Sequence, residues 1–196
     1  MSRALKTLAI FFAFVAIVTL SRHAIDSSTT TTTVTSSTTT TVATTSTVAV
    51  AACQGSDFRG VYNEGEGAAG TIYASVTLTK TTAGTCAVDG WPILTLSDRA
   101  GAVLPSSTID LPTGQNNAIQ FAAGAANRAP ARLTLADGAA TNFSLAYSDV
   151  GEGTAACANA TTVSVALHKG QSTVAVTPQY PPAPCNAGTV WVSPFY

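Results

Sequence analysis

With 196 residues, nine Lys plus Arg, ten Asp plus Glu and a formal net charge of −1, the chain advertises no electrostatic partner. From Cys53 onward six basic residues (Arg59, Lys80, Arg99, Arg128, Arg132, Lys169) stand against nine acidic ones, and this argues against nucleic acid as a partner, because phosphate contacts need clustered positive charge. A composition that is 46% apolar and only 10% charged also falls outside the class of solvated, disordered chains.

Residues 1–26 join basic Arg3 and Lys6 to the apolar run from Leu8 to Leu20. Such a run is shorter than the roughly 20 residues a membrane-spanning helix needs, so the segment reads as an export signal peptide. Arg22 and His23 interrupt the small-residue pattern of a cleavage site, which keeps an uncleaved N-terminal membrane anchor as the alternative. In either form the remainder is expected outside the cytoplasm, touching membrane only through this segment and only if it stays uncleaved.

Residues 27–52 form the next unit. Between Ser27 and Thr47, 18 of 21 residues are Ser or Thr, broken only by Val34, Val42 and Ala43. Hydroxyl side chains bury too little apolar area to offset the entropy of ordering the backbone, which predicts a disordered Ser/Thr-rich linker, a spacer or a glycosylated stalk. VAVAAC, Val48 to Cys53, resembles the cleavage box of a lipid-modified protein, but more than thirty residues separate it from Leu20 where such a box would abut the apolar run.

Residues 53–196 are long enough for one folded domain. Ile72, Ala74, Val76 and Leu78 alternate with Thr71, Tyr73, Ser75, Thr77 and Thr79, the two-residue period of a strand with one buried face. The same alternation recurs at Leu133/Leu135, Phe143/Leu145/Tyr147, Val163/Val165/Leu167, Val174/Val176 and Val190/Val192. Breakers lie between these runs: SDRAG, LPTGQNN, ADG, EGTAAC, HKGQ and QYPPAPC. No helical pattern remains, and the fold class predicted is all-β, an antiparallel β-sandwich.

Four cysteines in an exported domain read first as disulfides. Cys53, Cys86, Cys157 and Cys185 allow three pairings. Joining Cys53 to Cys86 and Cys157 to Cys185 is preferred, because both spacings are about thirty residues and would bring neighbouring strands together.

A glycine, an alternating strand and then C-x-x-x-G-aromatic-P are set out at Gly70, Ile72 to Leu78, Cys86, Gly90, Trp91 and Pro92. Asp98 and Gly101, the stretch from Leu133 to Tyr147, and the late cysteines Cys157 and Cys185 continue the pattern. In these features residues 53–196 resemble the bacterial domain-of-unknown-function family numbered 4232. The resemblance implies an exported, immunoglobulin-like sandwich of secreted proteins and lipoproteins, with a hairpin turn at Asp98 to Gly101 and paired strands around the Gly between Leu133 and Tyr147; it implies no activity. Lys80 stands where that family commonly has Asn, Ile93 where Gly is frequent and Tyr147 where Trp is common, and none of these removes a framework residue.

Chemistry is sparsely provided. GEGAAG, Gly65 to Gly70, satisfies G-x-G-x-x-G with Asp89 at a suitable distance for a ribose-binding acid, but a strand-like run follows where a nucleotide site needs a helix N-terminus. His168 is the one histidine after residue 53, so a metal or cofactor site is not expected, and an oxygen-rich set from Asn63, Glu64, Glu66, Asp149 and Glu152 matches no organised calcium loop. An acid pair from Asp89, Asp98, Asp149 and Glu152, or His168 as a base, would be the material for a hydrolase, but G-x-S-x-G is absent, and the chain is not expected to be an enzyme. Trp91 and Trp191 are the candidate ligand platform, with Tyr62, Tyr73, Phe121, Phe143, Tyr147 and Phe195 as further aromatics; filling or edging the core is the competing role for each. The sequons at Asn142 and Asn159 matter only in a host that N-glycosylates.

The function expected is that of an exported cell-envelope or secreted module acting by noncatalytic binding to an envelope polysaccharide or protein. Such a module would show an exposed aromatic or apolar patch. A purely structural envelope component would show a uniformly polar surface, and a hydrolase a cleft where acids or His168 converge.

Overall fold

The computed structural model describes residues 49–111, 119–151, 157 and 159–196, all within the compact unit Ser46–Tyr196. The signal or anchor segment 1–26, the linker up to residue 48 and Glu152 lie outside the described residues.

Eleven strands follow in chain order: β1 (Phe58–Asn63), β2 (Gly67–Ala68), β3 (Thr71–Lys80), β4 (Cys86–Val88), β5 (Ile93–Ser97), β6 (Ser107–Asp110), β7 (Leu133–Leu135), β8 (Ala140–Ser148), β9 (Thr162–Ala166), β10 (Thr173–Val176) and β11 (Thr189–Val192). They form a six-stranded sheet in the order β1-β3-β8-β11-β6 with β2 added to β3, a three-stranded sheet β10-β9-β5, and a two-stranded sheet β4-β7. Only short 3-10 turns, Gly55–Asp57 and Gly124–Asn127, interrupt the β-structure among the described residues.

Two sequence expectations need correction. The ladders are not all antiparallel, because β6 runs parallel to β11. Four strands separate the two in sequence, so no tight hairpin dictates their relative direction. Nor are the strands flanking Gly138 paired with each other: β7 pairs with β4, and β8 with β3 and β11. The Gly138 turn docks on the end of β3 instead. Gly138 N donates to Lys80 O at 3.1 Å and Lys80 N to Ala139 O at 2.9 Å. The Asp98–Gly101 turn does form, with Asp98 Oδ1 accepting from Ala100 N and Ala102 N, both at 2.9 Å.

Alternation decides which side of each strand is buried. Ala74, Val76 and Leu78 of β3 lie inward beside Phe143 and Leu145 of β8, and they share one core with Leu94 and Leu96 of β5, Val163 and Val165 of β9, and Val174 and Val176 of β10. The six-stranded and three-stranded sheets therefore close on a common apolar layer. Gly60 lets them approach at the β1 edge, since a Cβ there would lie 2.2 Å from Val176 Cγ1.

The inward side of β3 ends on a charged residue. Lys80 is only 2% exposed; its ammonium donates to Thr82 O, to Thr82 Oγ1 at 2.9 Å and to Ala83 O at 3.4 Å. Thr82 Oγ1 in turn donates to Asp57 Oδ1 at 2.9 Å. Lys80→Met would keep the buried stem and remove the charged hydrogen bonds to Thr82 and Ala83, an expected cost of about 1.5–3 kcal/mol, read as a lowered denaturant midpoint. Asp57 itself is held below its usual 3.8, chiefly by the N–H of Gln54 and also by Thr82 and Lys80. A depressed carboxyl stabilises fully above 3.8 and loses that contribution as pH falls through the folded value. Asp57→Asn should therefore flatten the stability loss that sets in as pH falls below 3.8, in acid titrations followed by circular dichroism.

Candidate functional site

The outward side of the large sheet carries a second apolar cluster. Tyr73 of β3, Ala146 of β8 and Trp191 of β11 form one row across the ladders. Ala146 is fully buried between the two aromatics, and Leu111, Ile119, Phe121 and Ala126 cover the row together with Ala123 and Tyr196. The covering segment is held in shape by Asn127. Its Oδ1 accepts from Phe121 N at 3.0 Å, while its Nδ2 donates to Phe121 O at 2.7 Å and Ala123 O at 3.4 Å.

Beside this cover the sheet opens into a cleft of about 510 Å³. Its floor is Tyr73 and Ser75 of β3 with Ser144 of β8. One wall is the loop from Asn63 to Ala68, the other runs from Gln120 to Ala123, and Tyr196 completes the lining. The first wall is backbone pressed against β3: a Cβ on Gly65 would fall 1.0 Å from Tyr73 O. Tyr73 meets Phe121 edge-on with ring centroids 6.5 Å apart. Ser144, itself buried, shares a 2.9 Å hydrogen bond with the Tyr196 phenol, and Asn63 Nδ2 donates to Ser75 Oγ at 3.3 Å.

Two carboxylates, Glu64 and Glu66, line the same cleft. Glu64 Oε1 accepts from Gln179 N at 2.7 Å and Tyr180 N at 3.1 Å, which ties the first wall to the Pro-rich loop after β10. Inward of it lie two buried phenols. Burial pushes Tyr147 up to about 12, with the Glu64 carboxylate adding to the shift; burial raises Tyr62 further, helped by Tyr147 and Glu64. Such phenols contribute stability that is complete below their usual 10.0 and is lost as pH rises beyond it, because the unfolded chain ionises first. Alkaline unfolding is accordingly expected to set in above about pH 10 and to be delayed to higher pH in Tyr62→Phe/Tyr147→Phe, as followed by circular dichroism.

The residues singled out in the sequence are dispersed. Trp91 packs against the inner core and donates its indole N–H to Leu111 O at 2.8 Å. Trp191 belongs to the outer cluster, so the two tryptophans do not form one surface. Tyr73 and Phe121 do reach the cleft. Cys53 is bonded to Cys86 with Cα atoms 4.9 Å apart, Cys157 to Cys185 with Cα atoms 4.4 Å apart, and no cysteine is free. Asp89 holds Arg132 at 3.2 Å and lies 3.9 Å from His168 Nδ1, and none of these three lines the cleft. Among the described residues no three His, Cys, Asp or Glu converge as metal ligands. GEGAAG runs through β2 and a turn into β3, without a helix N-terminus. Asn142 lies within β8, its Oδ1 accepting from Thr77 Oγ1 at 2.7 Å, while Asn159 is exposed.

Sequence reasoning missed Ser144, Gln120 and Tyr196. Ser144 could have been found as the outward residue between Phe143 and Leu145. The other two carry no periodic signal, because the chain around them is irregular.

A family model described as a domain of unknown function, DUF4232, matches residues 53–196. No curated protein and no solved structure matches the chain.

Proposed function

From the premise that this chain belongs to the DUF4232 family, whose description assigns no activity, we propose that its folded part is an immunoglobulin-like β-sandwich that works outside the cytoplasm by noncovalent binding. The observation that carries this reading is the cleft on the outward face of the large sheet, of about 510 Å³ and lined by the aromatic residues Tyr73, Phe121 and Tyr196 among others. That volume falls within the roughly 300–1,000 Å³ of ligand sites. Two disulfides indicate an oxidising, extracellular-type environment. With them, residues 1–26 support export and residues 27–52 a stalk between envelope and domain. The partner is an envelope polysaccharide or protein, met without catalysis.

The test is retention of the full chain on whole cells and on immobilised envelope polysaccharides. Tyr73→Ala is expected to abolish retention, and Trp91→Ala, outside the cleft, to leave it unchanged. Absence of retention on every support would favour the structural role instead.

A further inference from the structure

Resting on that reading of the cleft as a binding site, we infer that its ligand is a short stretch of uncharged oligosaccharide. Charge narrows the choice first. The lining holds the carboxylates of Glu64 and Glu66 and no Lys, Arg or His, so a sugar acid, a phosphate or an acidic peptide would meet like charge with nothing to offset it.

Hydrogen-bonding chemistry narrows it further. The hydroxyls of Ser75, Ser144 and Tyr196 each donate and accept, the amides of Asn63 and Gln120 do both, and the carboxylates accept. A sugar hydroxyl also donates and accepts, so a polyol can use the whole set. An ammonium or guanidinium group only donates; it would engage the acids and leave the Ser144–Tyr196 hydroxyl pair without a complementary acceptor. Glu64 is moreover fixed by the N–H groups of Gln179 and Tyr180, which makes it a positioned acceptor instead of a roaming counterion. The rings of Tyr73 and Tyr196 add apolar surface suited to the C–H face of a pyranose.

Both walls are set before any ligand arrives. Gly65 presses one against β3, and the Asn127 side chain holds Phe121 and Ala123 in the other. A preformed slot of this kind reduces the ordering cost that weakens binding by mobile loops.

The experiment titrates the full ¹⁵N-labelled chain with cellotriose, mannotriose and chitotriose, with trigalacturonic acid as the anionic counterpart and trilysine as the cationic one. Saturable shifts at the amides of Tyr73, Ser144 and Tyr196 are expected with at least one uncharged trisaccharide and with neither charged probe. Tyr196→Phe should weaken that binding roughly two- to ten-fold, the loss of one hydrogen bond, and Glu66→Gln should weaken it by a similar factor. Arg59→Gln, outside the cleft, should leave it unchanged. Tyr73 also packs in the outer cluster, so the two milder variants decide the matter if Tyr73→Ala fails to fold. Shifts of the same amides by trilysine in preference to every trisaccharide would overturn the glycan and leave the cleft as a binding site. Silence from all three trisaccharides, with cells still retained through Tyr73, overturns the glycan as well. No shift with any probe, together with no retention on cells, overturns both readings.

Discussion

Replacing Cys53 and Cys86 together by alanine is expected to cost about 3 to 4 kcal/mol, because the bridge closes a separation of 33 residues in the unfolded chain. Both sulfurs are buried, with Cys53 fully so, and packing loss adds to the entropic effect. The bridge also secures the entry of the domain. Cys53 N donates to Ala87 O at 2.9 Å, and Ala87 N to Ala51 O at 2.8 Å. Cys157→Ala/Cys185→Ala, across 28 residues, is expected to cost nearly as much. Losing both bridges would remove a sum comparable to the whole stability of a typical domain, about 5 to 15 kcal/mol. Urea midpoints of the two double variants and of the quadruple variant provide the check. A change below about 1 kcal/mol for Cys53→Ala/Cys86→Ala would mean that the bridge does not restrict the unfolded chain as argued.

Phe143→Ala is expected to cost about 3 to 5 kcal/mol. Phe143 is fully buried in the middle of β8, opposite Val76 of β3. It meets Phe195 edge-on, with ring centroids 5.9 Å apart, an arrangement worth about 0.5–1.5 kcal/mol beyond the area buried. Removing the ring leaves a cavity walled by two sheets, and sheets cannot collapse inward without breaking their ladders. Phe143→Leu, which refills part of the space, should cost markedly less. Val103→Ala on the surface should change stability by no more than about 0.5 kcal/mol. Chemical denaturation of the three variants ranks them, and equal losses for Phe143→Ala and Val103→Ala would contradict the burial assigned to the ring.

Strands that alternate cleanly were legible in the sequence. β3, β8, β9, β10 and β11 each send alternate apolar residues into the inner core, while Tyr73, Ala146 and Trp191 on the other side of β3, β8 and β11 belong to the outer cluster. Others left no such trace. β1 is interrupted by Gly60, where close approach to β10 matters more than a side chain. β6, the parallel edge strand, is largely exposed and reads as STID, with no buried alternation to betray it. Lys80, just past the alternating run, was not legible as a buried cation, because its partners Thr82 and Ala83 belong to the following turn. The cleft was harder still. Its walls come from two irregular segments and its floor from the polar side of the strands, so the aromatic residues alone gave Tyr73 and Phe121 but also pointed to Trp91 and Trp191, which the fold sends to separate clusters.

The position of β11 governs the order in which the fold can be assembled. Residues 189–192 sit in the interior of the large sheet, between β8 and β6, and Tyr196 exchanges two backbone hydrogen bonds with Asn142 further along. A polypeptide delivered from its amino end thus holds an unfilled gap between β8 and β6 until residues 189–196 emerge. Non-local pairing of this kind is slow, and β6, whose one neighbour in the sheet is β11, cannot join it before β11 is in place.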